Sequence, residues 1–590
     1  MERAALYHRP DSEYAYLYES EKMHIRLRTK KDDVKHVHII KGDPYLIHED
    51  KWYQESTEMR HLCQTAEFDY WVIETDAPFR RIQYAFQVEG YDGEVVFYGD
   101  RGIFDFNENV IERAENYFRM PFFQEIDRFK APEWVKNTIW YQIFPERFAN
   151  GDKTNDPKNV LPWGSKEHPG REDFYGGDLQ GVLDNLDYLE ELGINGIYFC
   201  PIFKASSNHK YDTIDYFEID PDFGDKALFK KLVDEAHTRG IRIMLDAVFN
   251  HMGYASKEWQ DVVKYQQNSK YVDWFHIRSF PVEYGKNGNV EGAKTLSYDT
   301  FAFTPRMPKL NTANPEVQEY LLKIAKYWIE EFDIDAWRLD VANEVDHHFW
   351  KRFYKETTAI KDDFYILGEI WHSSQSWLNG DEFHAVMNYA YTETILNFFV
   401  HEEMSSQALA YRLNEQLMLY RDQTNQVMFN MLDSHDTARL LTLADNDKDK
   451  LRSALLFTFL QHGSPCIYYG TEVGMTGEND PDCRKCMVWN EEEQDLHLLS
   501  FTKEIINFRK KYQKVMSEGT LEFTAPNNEF VALTRKYQTT SIKAFFNNGN
   551  QKEKYDIPGG YQPVKELCQN IDFSNQTIGY KGFIVFVSEK

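Results

Sequence analysis

The sequence predicts an α/β fold: a closed (β/α)8 TIM barrel with a loop domain inserted after its third strand, and a β-sandwich domain at each end of the chain. Three observations lead to this prediction. Between residues 138 and 469, short apolar runs alternate with helix-like segments. A long irregular segment follows the third run, and both ends of the chain are rich in β-forming residues. Alternating buried strands and helices indicate a parallel sheet covered on both faces, and eight such units suggest a barrel.

The predicted elements of the barrel follow one another in a regular order. The strands are Thr138–Phe144, Gly193–Cys200, Ile241–Phe249, Ile334–Val341, Phe364–Ile370, Ala385–Tyr389, Gln426–Leu432 and Ser464–Tyr469. The helix-like segments between them include Ala227–Arg239, Pro315–Phe332 and Lys450–Leu460. Predicted strands outside the barrel include Val72–Glu74, Ile82–Val88, Phe530–Lys536, Thr540–Phe546 and Gly582–Val587.

The length of 590 residues requires more than one domain. The inserted segment is rich in Tyr, Trp, Phe and Gly, and long non-helical insertions after a barrel strand usually belong to the active-site face. The predicted domains are an N-terminal sandwich (1–123), a barrel (124–249 and 311–514), an inserted loop domain (250–310) and a C-terminal sandwich (515–590).

The composition of the chain limits which binding partners and which cellular location we expect. The formal net charge of −28 argues against nucleic acid and anionic membranes and favours a neutral substrate and cation binding. The 6 cysteines are too few for a disulfide scaffold. Residues 1–20 are charged and polar, unlike a secretory signal, and no apolar run is long enough to span a bilayer. We therefore expect a cytoplasmic enzyme.

Two predicted strands end on carboxylates with different surroundings. Arg338 and Asp340 are two residues apart on a strand, so they share a face, and the guanidinium should hold Asp340 ionised. Glu369 lies among Leu367, Ile370 and Trp371, and an apolar wall would raise its pKa. A nucleophile and a general acid need such a pair of carboxylates, so the pattern predicts a glycosidase.

Polar residues also end two other predicted strands. One acidic strand end alone would more often be a solvated or salt-bridged carboxylate than a catalytic one. The segments DAVFNH (246–251) and LDSHDTAR (432–439) add carboxylates and histidines at the same predicted rim. Because catalytic groups of barrel enzymes lie at the carboxyl ends of strands, four such ends favour an active site.

These segments resemble a known family. DAVFNH, WRLDVANEV (337–345), LGEIWH (367–372) and LDSHDTAR are similar to the four signature regions of the alpha-amylase family of glycoside hydrolases. The segment MPKLN (307–311) resembles the mark of the subfamily of neopullulanases, cyclomaltodextrinases and maltogenic amylases. The resemblance covers nearly the whole chain and also implies that the N-terminal sandwich is starch-binding-like.

The resemblance implies a role for each matching residue. Asp340 would be the nucleophile of a retaining mechanism, Glu369 the acid/base, and Asp436 the third carboxylate, which binds and distorts the sugar. Arg338 would orient Asp340. Retention of configuration requires the two reacting carboxyl groups to be about 5–5.5 Å apart.

Further residues are implied to contact the sugar. His251 and His435 would bind hydroxyls of the reacting glucose, and Tyr141 would stack on its ring. Trp371 would form an aromatic platform on the leaving-group side. The residues implied to hold the sugar further from the cut are Asp480 and Arg484.

A structural calcium ion is a further expectation. The stretch 150–156 is dense in oxygen-bearing side chains, which suit calcium, although an Asx-rich turn would give the same composition. The resemblance favours calcium. The implied ligands are Asn150, Asp152, Asn155, Asp156, Gly176 (through its carbonyl) and Asp178.

The expected substrates are cyclodextrins, maltooligosaccharides and pullulan, cleaved at α-1,4 bonds with some transglycosylation. The resemblance also implies a homodimer formed through the N-terminal domain. Two alternatives stay open at this point: an oligo-1,6-glucosidase or glucanotransferase on the same barrel, and a non-catalytic carbohydrate-binding protein. Retention of all three carboxylates argues against the second alternative.

Overall fold

A computed structural model of the chain describes residues 1–47, 51–53, 56–120, 122–282, 296–557 and 559–589. It forms two compact units. The first consists of Met1–Lys130, Met404–Asn425 and Glu522–Leu533, and the second of Ala131–Glu403, Gln426–Leu521 and Thr534–Lys590. Among the described residues, no helix has the length and apolar character needed to cross a bilayer.

The first unit is built around two antiparallel sheets. Its strands are β1 (Ala15–Leu17), β2 (Lys22–Lys30), β3 (Val34–Gly42), β4 (Thr57–Glu58), β5 (Arg60–Gln64), β6 (Phe68–Asp76), β7 (Ile82–Gly90), β8 (Val95–Gly99), β9 (Gly102–Asp105) and β10 (Phe118–Met120). The sheet orders are β1-β2-β6-β5 and β4-β3-β7-β8-β9, with β10 on β7. One core shared by Ile25, Leu27, Val37 and Phe86 joins them, as in a sandwich. The helices of this unit are Glu108–Ile111, Ser406–Met418 and Asp422–Asn425.

The second unit contains the predicted parallel barrel. Its strands are β11 (Trp140–Ile143), β12 (Gly196–Phe199), β13 (Phe203–Ala205), β14 (Thr213–Ile219), β15 (Arg242–Ala247), β16 (Ala336–Leu339), β17 (Tyr365–Gly368), β18 (Ala385–Val386), β19 (Phe429–Asn430) and β20 (Ser464–Tyr468). Eight of them pair in the order β18-β17-β16-β15-β12-β11-β20-β19, while β13 and β14 form a separate hairpin. A parallel bridge from Met387 to Phe429 joins the two ends of this sheet. The barrel prediction is confirmed, with strands shorter than predicted.

Helices surround the barrel where the sequence places them. The span predicted for Pro315–Phe332 matches the structure because its end signals are local. Asn314 accepts hydrogen bonds from the N–H groups of Glu316 and Val317, and proline occupies the first turn. The helices of this unit are Pro145–Phe148, Leu179–Asp184, Leu186–Leu192, Lys226–Thr238, Lys257–Tyr265, Pro315–Phe332, His347–Thr358, Tyr389–Phe399, Leu440–Leu443, Lys448–Phe459, Leu496–Lys511 and Gln513–Glu518.

The remaining parts are the insertion and the C-terminal region. Isolated bridges such as His251 to Lys309 and Phe275 to Leu310 hold the ends of the insertion together. Residues 283–295 of the predicted loop domain lie outside the described residues. The C-terminal strands are β21 (Thr520–Thr524), β22 (Phe530–Tyr537), β23 (Thr540–Asn547), β24 (Glu553–Lys554), β25 (Gln562–Asp572) and β26 (Thr577–Glu589). Strands β23, β24 and β25 all pair antiparallel with β26.

Candidate active site

Four strand ends of the barrel open into one cavity of about 560 Å³. The backbone N–H of Asp340 donates to Ala247 (3.0 Å) and that of Glu369 donates to Leu339 (2.9 Å), so both residues continue the parallel ladder at its carboxyl end. The cavity is lined by Arg171, His209, Tyr211, His251, Phe301, Thr304, Met307, Asp340, Val341, Asn343, Glu369, Trp371, His435, Asp436, Asp480 and Arg484. The three carboxylates predicted to carry the chemistry therefore face one space.

One guanidinium joins the carboxylates at the base of the cavity. Arg338 is fully buried, and its Nη1 donates to Asp340 Oδ1 at 2.8 Å and to both oxygens of Asp246 at 3.0 Å. Its Nη2 lies 2.9 Å from Oε2 of Glu369. A single positive charge thus faces three buried carboxylates.

This arrangement changes the expected electrostatics of Asp340. Burial raises the pKa of Asp340 well above its usual range; Arg338 opposes the shift, and the neighbouring Glu369 and Asp246 add to it. Burial likewise raises the pKa of Asp246 to about 6. Arg338 therefore acts on Asp340 in the predicted direction, but its guanidinium is shared with Asp246 and Glu369.

The surroundings of Glu369 also differ from the prediction. Its Oε2 accepts from the backbone N–H of Val341 (2.9 Å) and its Oε1 from the indole N–H of Trp371 (3.1 Å). The predicted apolar wall is therefore replaced by hydrogen-bond donors on both oxygens. These contacts fix the position of the carboxyl group at the cavity wall.

The donor from Val341 depends on an unusual backbone conformation. Val341 has φ 46° and ψ 44°, in the left-handed region that a β-branched residue rarely adopts. Such a conformation costs about 1–3 kcal/mol and persists where the surrounding structure enforces it. Here it directs the N–H of the residue after Asp340 towards Glu369.

The two predicted histidines both line the cavity as buried neutral groups. His251 Nδ1 lies 3.2 Å from Nδ2 of Asn250, and its Nε2 lies 3.1 Å from the carbonyl of Tyr211. Burial lowers the pKa of His251 to about 3. Burial, with Arg484 and Arg338 nearby, lowers the pKa of His435 well below its usual range. Both rings are thus held uncharged and can donate one N–H each.

The predicted stacking residue is corrected by the structure. Tyr141 is fully buried, and its hydroxyl donates to Glu472 at 2.7 Å, so it cannot present its ring to a ligand. Tyr211 lines the cavity instead, stacked on His435 with ring centroids 5.4 Å apart. Tyr211 lies beyond a barrel strand, after Lys210 with φ 61°, where no strand-end pattern marks it.

The outer predicted contacts form a chain of charges. Asp436 lies 3.4 Å from Nη2 of Arg484, and Arg484 Nη1 lies 2.8 Å from Asp480. Arg171, which sequence reasoning missed, pairs with Asp480 at 3.3 Å. Trp371 is 51% exposed and stacks on Tyr389 at a centroid distance of 3.6 Å. The wall of the cavity thus offers both charged and aromatic contacts.

The residues predicted to bind calcium lie together in the loop after β11. The Asp178 carboxylate accepts from the N–H groups of Gly151 (3.0 Å), Asp152 (2.9 Å) and Gly181 (2.6 Å), and from Asn155 Nδ2 (3.1 Å). Asp152 also accepts from Thr154. Asp178 therefore caps the next helix and closes the loop on itself.

Two oxygens of this loop have no donor. Oδ1 of Asn150 and Oδ1 of Asn155 are buried without a hydrogen-bond partner, while Nδ2 of Asn150 donates to Asp156 at 2.7 Å. Gly176 (φ 81°) approaches so closely that a Cβ would overlap Asp156 and Asn150. Within the described ranges, no group of three or more His, Cys, Asp or Glu side chains is arranged to hold a metal ion, so amide and backbone oxygens would make up much of any cation site.

Comparison with known proteins shows extended similarity. Residues 142–555 match the catalytic domain of alpha amylase, and residues 1–124 match the alpha amylase N-terminal ig-like domain. An intracellular maltogenic amylase of Bacillus subtilis is 55% identical over 98% of this chain and 95% of that protein. A cyclomaltodextrinase of Geobacillus thermopakistaniensis is 49% identical over 95% of this chain and 93% of that protein. A solved cyclomaltodextrinase structure has a TM-score of 0.90 and 46% identity, and covers 99% of this chain and 98% of its own.

Proposed function

Because the chain belongs to the alpha-amylase family and is a glycoside hydrolase, we propose that it cleaves α-1,4-glucosidic bonds with retention of configuration. Asp340 is the nucleophile and Glu369 the acid/base. Asp436 is the third carboxylate, and the substrates are cyclodextrins, maltooligosaccharides and pullulan.

The observation that carries this proposal is the placement of Asp340 and Glu369 on two nitrogens of one guanidinium, in the wall of one cavity. Sharing one guanidinium keeps the two carboxyl groups close together, as the separation of roughly 5–5.5 Å in retaining glycosidases requires.

The charge balance of the cluster supports the acid role. If Asp246, Asp340 and Glu369 were all ionised around Arg338, two negative charges would remain uncompensated in a buried site, which burial and repulsion disfavour. Burial accordingly raises the pKa of both Asp246 and Asp340, which favours a proton within the cluster. In the proposed reaction, Glu369 delivers that proton because it is the acid that also meets Trp371 at the cavity wall.

The reaction proceeds in two displacements. Glu369 protonates the glycosidic oxygen while Asp340 attacks the anomeric carbon, so the carbon–oxygen bond breaks and a glycosyl ester forms. Water then attacks the anomeric carbon and gives its proton to Glu369, and the bond from that carbon to the Asp340 oxygen breaks. When a sugar hydroxyl replaces water, the same step gives transglycosylation.

The sugar contacts follow from the cavity lining. Tyr211 offers the ring expected to stack on the reacting glucose, and His251 and His435 line the same space beside its hydroxyls. Asp436 would bind the reacting sugar, and Arg484 and Asp480 would bind hydroxyls further from the cut. The names of relatives, among them cyclomaltodextrinase and neopullulanase 2, support cyclodextrins and pullulan as substrates.

Product analysis tests this function. We expect maltose from β-cyclodextrin, panose from pullulan and little release from soluble starch, with proton NMR showing the α-anomer first. Initial appearance of the β-anomer would contradict the retaining mechanism. Attack on starch in preference to the ring would contradict the proposed substrates.

We also propose that calcium binds in the loop after β11 and stabilises it. Calcium takes six to eight oxygen ligands, including amide and backbone carbonyls, and the buried unpaired oxygens of Asn150 and Asn155 fit this requirement. The proposed ligands are Asn150, Asp152, Asn155, Asp156, Gly176 and Asp178. Bound calcium would neutralise the carboxylates of the loop.

The proposed assembly is a homodimer formed through the N-terminal domain, and the proposed location is the cytoplasm. The ig-like match of residues 1–124 and the printed name of the intracellular relative support these proposals. Sedimentation equilibrium of the full chain would give a mass near twice 70.0 kDa for a dimer. A mass that stays at one chain at every concentration would contradict the dimer.

A further inference from the structure

The wall behind the cavity contains a buried glutamine whose contact with His435 suggests a specific role. Gln142 lies on β11, is 1% exposed and has its Nε2 only 2.7 Å from Nδ1 of His435. Its next polar neighbour is the thiol of Cys200, at 3.6 Å. The amide is thus placed against one ring nitrogen of a histidine whose other nitrogen faces the cavity side.

The hydrogen-bonding role of each His435 nitrogen can be assigned from the contacts of Tyr211, which lies on the other side of the ring from Gln142. Tyr211 Oη lies 2.9 Å from Asp246 Oδ2 and 2.6 Å from His435 Nε2. Above the pKa of about 6 that burial gives Asp246, its carboxylate only accepts hydrogen bonds, so the single hydrogen of the Tyr211 hydroxyl goes to Asp246. His435 Nε2 must then donate to Tyr211, and in a neutral ring Nδ1 is left as an acceptor. A donor must therefore stand at Nδ1, and the amide of Gln142 supplies it.

We propose that Gln142 is a positioning residue: its amide fixes the neutral Nε2–H tautomer of His435 and thereby directs the Tyr211 hydroxyl towards Asp246. Which nitrogen of a histidine carries hydrogen is set by the bond that the other nitrogen makes. This inference rests on the proposed function, because enzyme activity is its readout.

Among the described residues, the other polar groups in contact with His435 meet its carbonyl or Nε2 rather than Nδ1. Arg484 Nε donates to the carbonyl of His435, and Asp436 lies 3.3 Å from Nε2. Arg338 and Glu369 act on the ring through charge, and His209 is a further buried imidazole near it. Burial and the two arginines keep His435 neutral, so a proton on Nδ1 in addition to Nε2 is disfavoured.

The substitution Gln142→Glu gives this role a distinctive pH dependence. A Glu–His pair that holds one extra proton keeps the hydrogen on Nε2, whether the extra proton lies on the carboxyl or on Nδ1. When that proton is lost as pH rises, the carboxylate draws the remaining ring hydrogen to Nδ1, and Nε2 becomes an acceptor. We therefore expect the ratio of kcat/KM for Q142E to that of wild type, on β-cyclodextrin, to rise as pH falls from 8 to 6, a range in which Asp246 stays largely ionised.

Two further variants separate positioning from packing. Gln142→Met keeps the length of the side chain but removes the donor, and we expect kcat/KM to fall about 10- to 100-fold, comparable to the loss when a metal-bound histidine loses such a partner. Cys200→Ala removes the other neighbour of the same amide without touching His435. We expect the ratio of kcat/KM for this variant to that of wild type to be constant with pH. Thermal unfolding curves confirm that each variant is folded.

A flat Q142E ratio across this pH range would overturn the proposal, as would wild-type kcat/KM in folded Q142M. A failure of the proposed function looks different: it would appear as retained turnover in Asp340→Asn, whatever the Gln142 variants do.

Discussion

The cavity and the loop after β11 both gather oxygen-rich side chains at strand ends, but they balance their charge differently. In the cavity, Arg338 supplies an internal cation to Asp246, Asp340 and Glu369. In the loop, Asn150 and Asn155 each keep a buried oxygen without a donor. The comparison teaches that an internal guanidinium can balance the carboxylates of a site that takes a neutral ligand, whereas orphaned amide oxygens fit the external cation that we propose for the loop.

The largest expected difference between the two regions is in turnover. Asp340→Asn removes the proposed nucleophile and should lower kcat/KM by about 10⁴-fold or more, because no glycosyl ester can form. The melting temperature should change little, since Arg338 keeps its pairs with Asp246 and Glu369. Steady-state kinetics on β-cyclodextrin and thermal unfolding check both expectations. Turnover within tenfold of wild type would remove Asp340 from the mechanism.

The loop should show the opposite behaviour, with a change in stability and little change in chemistry. We expect chelation of calcium to lower the melting temperature of the wild type by several degrees, because a ligand that binds only the folded state stabilises it by about 2.7 kcal/mol at 100 times its Kd. The double variant Asn150→Ala, Asn155→Ala should lose this response.

The control for the loop experiment is Asp340→Asn, whose melting temperature should respond to chelation as the wild type does. An unchanged melting temperature of the wild type on chelation, with no calcium retained by the purified protein, would contradict the proposed cation site.

The smallest expected effect is on stability and comes from the titration of Asp246, which pairs with Arg338. Burial raises the pKa of Asp246 from 3.8 to about 6, so between these values the folded protein holds a proton that the unfolded chain lacks. The resulting stabilisation is present below about pH 4 and lost as pH rises through 6. Asn in place of Asp246 cannot titrate, so the melting temperature of D246N minus that of wild type should increase by a few degrees from pH 4 to pH 7. A constant difference would contradict the assignment.

Much of this architecture could be predicted from the sequence because its signals are local. The apolar strands and the residues that end them indicated the barrel and placed Asp340, Glu369, His251 and His435 at one rim. The barrel also depends on a single bridge from Met387 to Phe429, which no local pattern reveals.

The sequence predictions failed where the course of the backbone determines which groups reach the cavity. Tyr211 reaches the cavity from a loop, after the left-handed Lys210, whereas Tyr141 occupies a strand position that points into the core. One of the two hydrogen-bond donors to Glu369 is the main-chain N–H of Val341, and the amino-acid type at that position does not predict such a contact. Sharing of Arg338 by Asp246 could be inferred only once β15 and β16 were known to be neighbours.

The left-handed turn at Val341 has a practical consequence for mutagenesis. Its contact with Glu369 is made by an amide of the main chain, so exchanging the side chain at this position leaves that contact in place. An alanine scan would therefore overlook one of the groups that anchor the acid. Only a backbone edit, such as replacing that amide by an ester through semisynthesis, would delete it.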